Sequence, residues 1–528
     1  MSKAHGSGPL RRIVSLPERA WPVIVFVLTF LVMAFLTPQF VAELDPPTGD
    51  EPFYLQMAIS LLHDHDFEMT NNYDQRDYLD FYPKDTTSPP FRGWESAPID
   101  LPPHQSATLR PGLYEKHGIG VPILVAPAYR LGGRLGTVFF MNFLAALLAA
   151  NMFLLAREIS GSLKWSLVAT LGLAFSSPLL PYAFLIFPAI PAALMALYSF
   201  RRSRLSPANR PWQLAGLAFS LAFLPWLHAG YLLLSIPIFC FFLARSWRNL
   251  RVLASVLLPT AISAGLFMFY YYYLYGTIMP NVRDHAGFSL PLGTLQGMTG
   301  LFLDQQWGLV TYSPFYLAAV AGVFLMWRLQ RRDGAWLALS TVPVCLFFAS
   351  YNQWWGEWCP PARYLTPILP FAAAPAALVL REARRAGKFL SILLLGFSLF
   401  LMGGFVAAPK LMYNQPTGES ELFLAFAREW GFDLTRWVPS FVVPGTEIVW
   451  QAALAIAAGA VLVWFILNSS APGRAPAGPA VTLPRISLIW RRRLSPVLTI
   501  VAVGLVLTTG ACFRLGGVDW DSGQHLHP

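Results

Sequence analysis

The chain has 528 residues, of which 55% are hydrophobic and only 12% are charged, and its mean hydropathy is +0.49. This composition is too apolar and too poor in charge for an ordinary soluble domain, and it predicts a polytopic protein of the lipid bilayer. The formal net charge of +10 is spread over small basic clusters between apolar runs. Such clusters orient membrane helices, and without a basic stripe they exclude nucleic acid as the expected partner.

The first apolar run, from Trp21 to Leu36, follows three arginines and resembles a signal peptide in its charge and hydropathy. The run does not end in the small-x-small cleavage site of a signal peptide, since Leu36 is followed by Thr-Pro-Gln-Phe. The run therefore predicts an uncleaved membrane anchor, with residues 1–20 in the cytoplasm.

Apolar runs bounded by arginine clusters predict an all-α bundle of about thirteen membrane spans. When the amino terminus is placed in the cytoplasm, the short basic clusters between spans all fall on the cytoplasmic side, as membrane orientation requires. The predicted spans are 21–37, 136–156, 165–180, 182–200, 211–227, 229–244, 252–275, 308–327, 335–350, 364–380, 389–407, 447–467 and 496–512.

This topology divides the chain into a transmembrane module, 21–407, and a carboxyl-terminal part. The module includes a long first extracytoplasmic loop of about 38–135, in which interfacial helices are expected. Within this loop, the apolar stretch 119–131 is short for a bilayer crossing, so an interfacial or re-entrant segment is favoured over a spanning one. A second outer loop, 408–446, precedes two last spans within 447–512; a basic, Pro/Ala/Gly-rich cytoplasmic linker, 468–495, joins these spans, and an outer tail, 513–528, ends the chain.

Acidic residues concentrate on the predicted outer side of the cell membrane (the plasma or inner membrane). Of 28 acidic residues, only Glu18, Glu158, Asp333 and Glu382 fall on the cytoplasmic side. Any chemistry is therefore expected at the outer mouth of the bundle.

Gly49-Asp50-Glu51-Pro52 begins a predicted helix in the first outer loop. Proline suits the first helical position, and Tyr54, Met57, Ala58 and Leu61 follow at helical spacing, which predicts a surface helix lying on the membrane. Two interpretations of Asp50 and Glu51 stay open on local pattern. They cap the helix, or they supply a general base or a metal ligand.

Other polar and aromatic residues near the predicted outer surface also have two interpretations. Lys116 and His117 precede Gly118 and Gly120, which either let backbone amides approach an anion or simply form a loop. His228 is favoured as a packing histidine over a ligand, because no partner stands at metal-ligand spacing. Aromatic residues at span ends either form the interfacial belt or stack on a sugar; these are Tyr275, Trp307 and Tyr312.

Several stretches between residues 20 and 370 resemble, in their order, the GT-C glycosyltransferases. Closest in kind are the family-39-like members, such as dolichyl-phosphate-mannose protein mannosyltransferases and bacterial aminoarabinose transferases. One departure is Gly-Ile-Gly at 118–120, where Gly-Pro-Gly is commoner in the family. The stretches are GDEPFYL at 49–55, TNNY at 70–73, KHGIGVP at 116–122, PWLH at 225–228, YGTIMP at 275–280, WGLVTYSP at 307–314 and WWGEWCPPARYL at 354–365.

The resemblance implies a GT-C-type fold and a hexosyl- or pentosyltransferase of the cell envelope. Its donor would be a polyprenyl-phosphate-linked sugar, and its acceptor a glycan, a lipid or a protein. Asp50 maps to the catalytic aspartate, with Glu51 as its helper. Arg363 is expected to bind the donor phosphate, unless it only anchors the chain at the interface among Trp354, Trp355 and Trp358.

Further roles follow from the same resemblance. Lys116 and His117 would assist at the phosphate, and His228, Tyr275, Trp307 and Tyr312 are candidates for substrate contact. Some members of the superfamily use Mg²⁺ or Mn²⁺, and here Asp45, Asp50 and Glu51 would be the ligands. The alternatives are a transporter or flippase for lipid-linked glycans and a non-catalytic accessory protein.

Overall fold

The structure is a computed structural model, and it describes residues 17–82, 101–206, 208–278, 287–288 and 292–470. Within these residues the regular structure is helical, apart from isolated β-bridges. The predicted all-α class is therefore confirmed for this part of the chain. The span predicted at 496–512, the tail 513–528 and nearly all of the linker 468–495 lie outside the described residues.

The α-helices are numbered here in chain order. They are α1 (Trp21–Glu43), α2 (Glu51–His63), α3 (Thr70–Asp74), α4 (Gly120–Ser160), α5 (Leu163–Ala174), α6 (Leu179–Tyr182), α7 (Ala189–Leu205), α8 (Pro211–Leu227), α9 (Leu232–Ser246), α10 (Leu250–Tyr275), α11 (Leu292–Leu303), α12 (Leu309–Tyr312), α13 (Tyr316–Leu329), α14 (Arg331–Ala349), α15 (Ala373–Glu382), α16 (Arg385–Ala407), α17 (Glu421–Trp430) and α18 (Ile448–Asn468).

Helices long and apolar enough to cross a membrane recur along the chain, as expected for a multi-pass membrane protein. In the described residues six segments meet this requirement by length and composition. Long apolar surfaces on these helices are exposed, for example on α10, and such surfaces suit contact with lipid. The total of about thirteen spans stays a prediction. The six segments are Glu18–Glu43, Gly120–Ser160, Ala229–Ser246, Leu250–Tyr275, Arg385–Ala407 and Ile448–Asn468.

Two predicted spans begin their α-helix late. The span predicted at 182–200 becomes helical at Ala189, just after Pro188, and the span predicted at 364–380 becomes helical at Ala373. Proline lacks a backbone N–H and is accepted mainly in the first turn of a helix, so it displaces the helix start. The backbone before these α-helices, at 183–188 and 353–372, lies beside the start of α2, and the second segment contains the short 3₁₀-helices Arg363–Leu365 and Leu369–Ala372.

Helix α4 is interrupted where the apolar stretch 119–131 ends. Gly132 and Gly133 have non-helical backbone angles and divide α4 into a shorter first part and a long second part. Arg134 follows the break and donates from Nη1 to Asp45 and from Nη2 to the carbonyl of Leu44, both at 2.7 Å. The break therefore fixes the end of α1 and the beginning of the first loop.

Helix α2 is not the surface helix that its pattern predicts. Its residues from Tyr54 to Ser60 are all buried, and α2 packs against α4. Gln56 and Ser60, on the predicted polar face, are as inaccessible as the apolar positions. The expectation is wrong because the rest of the fold buries the predicted polar face of α2 as well as its apolar face, which hydropathy at helical spacing does not reveal.

Candidate active site

The start of α2 is held against the tryptophan-rich loop 353–363. Gly49 has φ of +64°, and a Cβ atom built on it would lie 2.7 Å from the carbonyl oxygen of Trp358. Only glycine meets both conditions without strain. This close approach brings the next residue, Asp50, to the end of the loop that carries Arg363.

Asp50 and Arg363 form an ion pair between Oδ2 and Nη2. The other guanidinium nitrogen, Nη1, donates to the carbonyl of Gly356 at 3.0 Å, and Cζ lies 4.7 Å from the centre of the Phe187 ring. Both side chains are mostly buried, yet 14% of Asp50 and 16% of Arg363 remain accessible. The pair is therefore mostly buried but keeps a small accessible surface.

These contacts bear on the two simpler interpretations. Asp50 occupies the position before the first helical residue, but its side chain makes no capping hydrogen bond. It is directed to Arg363 instead. Arg363 does lie near aromatic rings, at 5.5 Å from Tyr364 as well as above Phe187, but its charge is aimed at a carboxylate. Capping and interfacial anchoring alone do not account for this geometry.

The charges around Asp50 control its ionisation. Burial acts to raise the pKa of Asp50, but the positive charge of Arg363 outweighs burial and leaves the pKa below its ordinary value; His117 and His104, when protonated, act in the same sense. For Arg363, burial acts to lower the pKa, and Asp50 more than reverses this, so the guanidinium stays charged. The pair is therefore ionised at neutral pH.

His117 is a second neighbour of the Asp50 carboxylate. Its Nδ1 is 3.8 Å from Oδ2 of Asp50, and 15% of its side chain is accessible. Its Nε2 is 2.9 Å from Nδ1 of His104, a hydrogen bond in which either ring can donate. Sequence reasoning missed His104, which follows two prolines and has no sequence neighbour of matching chemistry.

Glu51 has a different environment from Asp50. It is 1% exposed, and its Oε1 accepts a hydrogen bond from the backbone N–H of Ile186 at 2.9 Å, while the Tyr413 hydroxyl lies 3.5 Å from Oε2. Burial raises its pKa to about 7, although Arg134 and these two donors oppose the change. Glu51 thus ties the start of α2 to the segment between α6 and α7.

Two of the other predicted site residues pack near the loops of the site. Trp307 is buried and accepts at its carbonyl from the backbone N–H of Ala362, next to Arg363. His228 accepts a backbone N–H from Gly230 at Nδ1 and packs on Tyr231 and Phe348. These contacts are those of a packing histidine, and a role of His228 in substrate contact stays a prediction.

Of three more candidates, Lys116 lies next to the site, whereas the contacts described for Tyr275 and Tyr312 are with other segments. Lys116 donates its backbone N–H to the carbonyl of His104 at 3.1 Å. Tyr275 stacks on Tyr271 at the end of α10. Tyr312 is fully buried and its hydroxyl bonds to Ser420 at 2.6 Å and to a backbone carbonyl. Burial therefore gives Tyr312 a packing role and leaves no face of its ring for a sugar.

Gly118 and Gly120 serve packing rather than a ligand in this arrangement. A Cβ atom on Gly118 would lie 2.7 Å from the carbonyl oxygen of Trp226, and one on Gly120 would lie 2.5 Å from its carbonyl carbon. The turn that follows His117 can therefore sit directly on the end of α8. This contact holds His117 in place beside Asp50.

The carboxylates proposed as metal ligands do not converge. Asp45 is paired with Arg134, Asp50 with Arg363, and Glu51 faces a backbone N–H. Among the described residues no group of three His, Cys, Asp or Glu side chains is placed to hold a metal ion. The residues present therefore do not fit a metal ion here.

Comparisons with known proteins give two structural similarities. No protein-family model matches the chain, and no curated protein matches it. The crystal structure of ArnT from Cupriavidus metallidurans in the apo state has a TM-score of 0.47 and 13% identity, and the structure of ArnT bound to undecaprenyl phosphate has a TM-score of 0.45 and 14% identity. Both alignments cover 94% of this chain and 77% of ArnT.

Proposed function

We propose that the chain is a GT-C-type membrane glycosyltransferase. It transfers a sugar from a polyprenyl-phosphate-linked donor to a hydroxyl or amine of a glycan, lipid or protein, with inversion at the anomeric carbon. The observation that carries this proposal is the contact of Asp50 with Arg363 beside His117. This contact joins three of the stretches that resemble the GT-C enzymes: 49–55, 116–122 and 354–365.

In the proposed reaction, a bond forms between the acceptor atom and the anomeric carbon while the bond from that carbon to the phosphate oxygen breaks. The electron pair of the broken bond leaves with polyprenyl phosphate. Because a phosphate is already a competent leaving group, no proton donor is needed on that side. Asp50 removes the acceptor proton as general base, and Arg363 stabilises the charge that grows on the phosphate.

The ion pair suggests how the two roles are connected. When a donor phosphate binds Arg363, it shares the guanidinium that otherwise faces Asp50 and Gly356. An anion beside Arg363 cancels part of the positive charge acting on Asp50, so the pKa of Asp50 rises. Donor binding therefore makes Asp50 a stronger base at the time when a base is required.

Glu51 and Trp307 support the pair rather than react. Glu51 holds the first turn of α2 through Ile186 and Tyr413, and Trp307 holds Ala362 next to Arg363. Both contacts fix the backbone on either side of the ion pair. They keep the base and the phosphate-binding group at a constant separation.

The site is proposed to face the extracytoplasmic side of the plasma or inner membrane, as the arginine clusters predict. Polyprenyl phosphate carries its charge at the bilayer surface, and an arginine at headgroup depth suits it. Asp50 and Arg363 both lie in segments between membrane helices. This placement fits a reaction at the mouth of the bundle rather than a transport path through its middle.

The test is transfer by purified protein supplied with polyprenyl-phosphate sugars. Asp50→Asn is expected to lower the rate by about 10²–10⁴-fold, the usual contribution of general base catalysis. Arg363→Gln is expected to weaken donor binding as well as the rate. Asp433→Asn, which changes an outer-loop carboxylate hydrogen-bonded to Thr435, is the matched control and should keep full activity.

Two results would count against the proposal. Full transfer by an Asp50→Asn protein that folds normally would remove Asp50 from the mechanism. Movement of a lipid-linked glycan across vesicles without any transfer would favour a transporter instead. Mass spectrometry of lipids that co-purify with the wild-type protein would identify the donor.

A further inference from the structure

A second histidine extends the site away from Arg363. The order of contacts is Asp50, then His117 at 3.8 Å, then His104, whose Nδ1 is 2.9 Å from the far nitrogen of His117. The two contacts use opposite nitrogens of His117, one toward the carboxylate and one toward His104. His104 itself is partly exposed.

A short backbone pairing places the two histidines side by side. Gln105 and Glu115 form an isolated antiparallel bridge, and the backbone N–H of Lys116 donates to the carbonyl of His104 at 3.1 Å. In an antiparallel pair, residues at equal distances from the bridge lie close together. The pairing brings His104 to the turn that carries His117.

Aromatic rings hold the orientation of both imidazoles. Phe53 lies 4.7 Å from the His104 ring and 5.8 Å from the His117 ring, and Tyr54 lies 5.2 Å from the His117 ring. Both aromatic residues belong to the first turn of α2, directly after Asp50 and Glu51. The same turn thus positions the base and the two histidines.

We propose that His117 and His104 form a proton relay that removes the acceptor's proton from Asp50 and delivers it toward solvent; this rests on the proposed function. The proton of the acceptor passes to the Asp50 carboxylate and then, once the two side chains close their 3.8 Å separation to hydrogen-bond distance, to the unprotonated Nδ1 of His117. The Nε2 proton of His117 passes to Nδ1 of His104. One proton leaves the acceptor and one arrives on His104, while the electron pair of the broken glycosyl bond leaves with the phosphate.

Relative proton affinity gives the relay its direction. An aspartate carboxyl has an ordinary pKa of about 3.9, whereas an imidazole has an ordinary pKa of about 6.5. The ordinary order of basicity therefore favours transfer of a proton from a carboxyl to an imidazole. Moving it there prevents its return to the acceptor before the new bond is complete.

Other titratable groups face the relay from the elements around it. Glu115 accepts hydrogen bonds from the Tyr73 hydroxyl at 2.5 Å and from the backbone N–H of His104, and burial raises its pKa to about 7. Lys116 acts on Glu115 in the opposite sense. Tyr54 faces His117 from α2. Glu115 thus contacts the backbone of His104.

The experiment compares His104→Phe with the wild-type protein in the transfer assay. Phenylalanine keeps an aromatic ring next to Phe53 but carries no proton, so kcat is expected to fall about 10- to 100-fold while KM for the donor stays unchanged. Added imidazole is expected to restore part of the rate. His63→Phe, at the exposed end of α2, is the matched control and should behave as the wild-type protein.

The outcomes separate a proton relay from a purely structural role of His104. Unchanged kcat in His104→Phe from pH 5 to 9 overturns the relay. A loss that imidazole does not restore, accompanied by a lower thermal midpoint, shows a structural role and also overturns it. Absence of transfer by the wild-type protein, in contrast, overturns the proposed function itself, so the two failures are distinguishable.

Discussion

Adjacent carboxylates at the start of α2 have opposite electrostatic environments. Asp50 faces Arg363, and its pKa lies below the ordinary value although burial opposes this. Glu51, one residue later, is buried, and its pKa is raised to about 7. Environments that separate the pKa values of two neighbouring groups are typical of acid–base sites. Here they leave Asp50 as the ionised member.

Glu51→Gln is expected to make stability less dependent on pH. Because the pKa of Glu51 is raised in the folded protein, that state binds more protons than the unfolded chain between about pH 4.5 and 7. Stability therefore falls as pH rises through this window. Glutamine can still accept from Ile186 and does not titrate, so it removes a penalty of up to about 3 kcal/mol above pH 7.

Thermal unfolding in detergent at pH 5 and pH 8 measures this effect. The midpoint of the wild-type protein should decline relative to that of Glu51→Gln as the pH is raised. The difference between the two proteins isolates Glu51, because Glu115 and the buried Asp304, whose pKa burial raises to about 6, titrate in both. Parallel midpoints at the two pH values would mean that Glu51 does not carry the raised pKa.

Some residues of the site could be found from the sequence and others could not. Asp50, Arg363 and His117 stand in local stretches whose chemistry is visible along the chain. The contact of Asp50 with Arg363 joins positions 313 residues apart, which hydropathy cannot reveal. His104 was missed because its partner is supplied by a backbone bridge between 105 and 115, and that bridge has no sequence signature.

At the scale of helices, hydropathy predicts where the helices lie, and proline and glycine residues change where those helices begin or break. The predicted span 211–227 coincides with α8, Pro211–Leu227, and the predicted span 252–275 lies within α10, Leu250–Tyr275. Hydropathy did not show that α7 and α15 begin late, because the average over a window hides single prolines. Those late starts matter for the site, since Ile186 and Arg363 lie in the backbone before these α-helices, with Arg363 in the short 3₁₀-helix Arg363–Leu365.

The break in α4 provides a test at this scale. Gly133 has φ of +57° and ψ of −148°, a region that L side chains rarely adopt, whereas Gly132 has φ of −157°, which any residue adopts. A Cβ atom would have open space at both positions. Gly133→Ala is therefore expected to cost about 1–3 kcal/mol through backbone strain alone, and Gly132→Ala is expected to have little effect.

Thermal midpoints of the two variants in detergent measure this difference. The strain should also disturb Arg134, which follows the break and pairs with Asp45. Equal midpoints for Gly132→Ala and Gly133→Ala would show that the break does not require glycine at 133. The two substitutions add the same methyl group at neighbouring positions, so each is the control for the other.

At the scale of the whole molecule, the contact between Asp50 and Arg363 restricts the topology. Two residues in contact lie on the same side of the membrane, so the chain crosses it an even number of times between them. The spans predicted from 136–156 to 335–350 are even in number and satisfy this condition. A separate crossing by 119–131 would make the number odd, so the contact favours a first part of α4 that does not cross.

Cysteine labelling tests both this parity and the predicted orientation. In a background without the four native cysteines, single cysteines are placed at exposed positions as Asp74→Cys in the first loop, Glu429→Cys in α17 and Arg248→Cys between α9 and α10. A membrane-impermeant maleimide should label the first two in intact cells and the third only after permeabilisation. Positive residues at short loops such as that of Arg248 are retained in the cytoplasm, which is the physical basis of this expectation.

Two labelling results would contradict the predicted topology. Opposite behaviour of Asp74→Cys and Glu429→Cys would show that the parity is wrong. Labelling of Arg248→Cys alone in intact cells would reverse the orientation and place the Asp50 site on the cytoplasmic face.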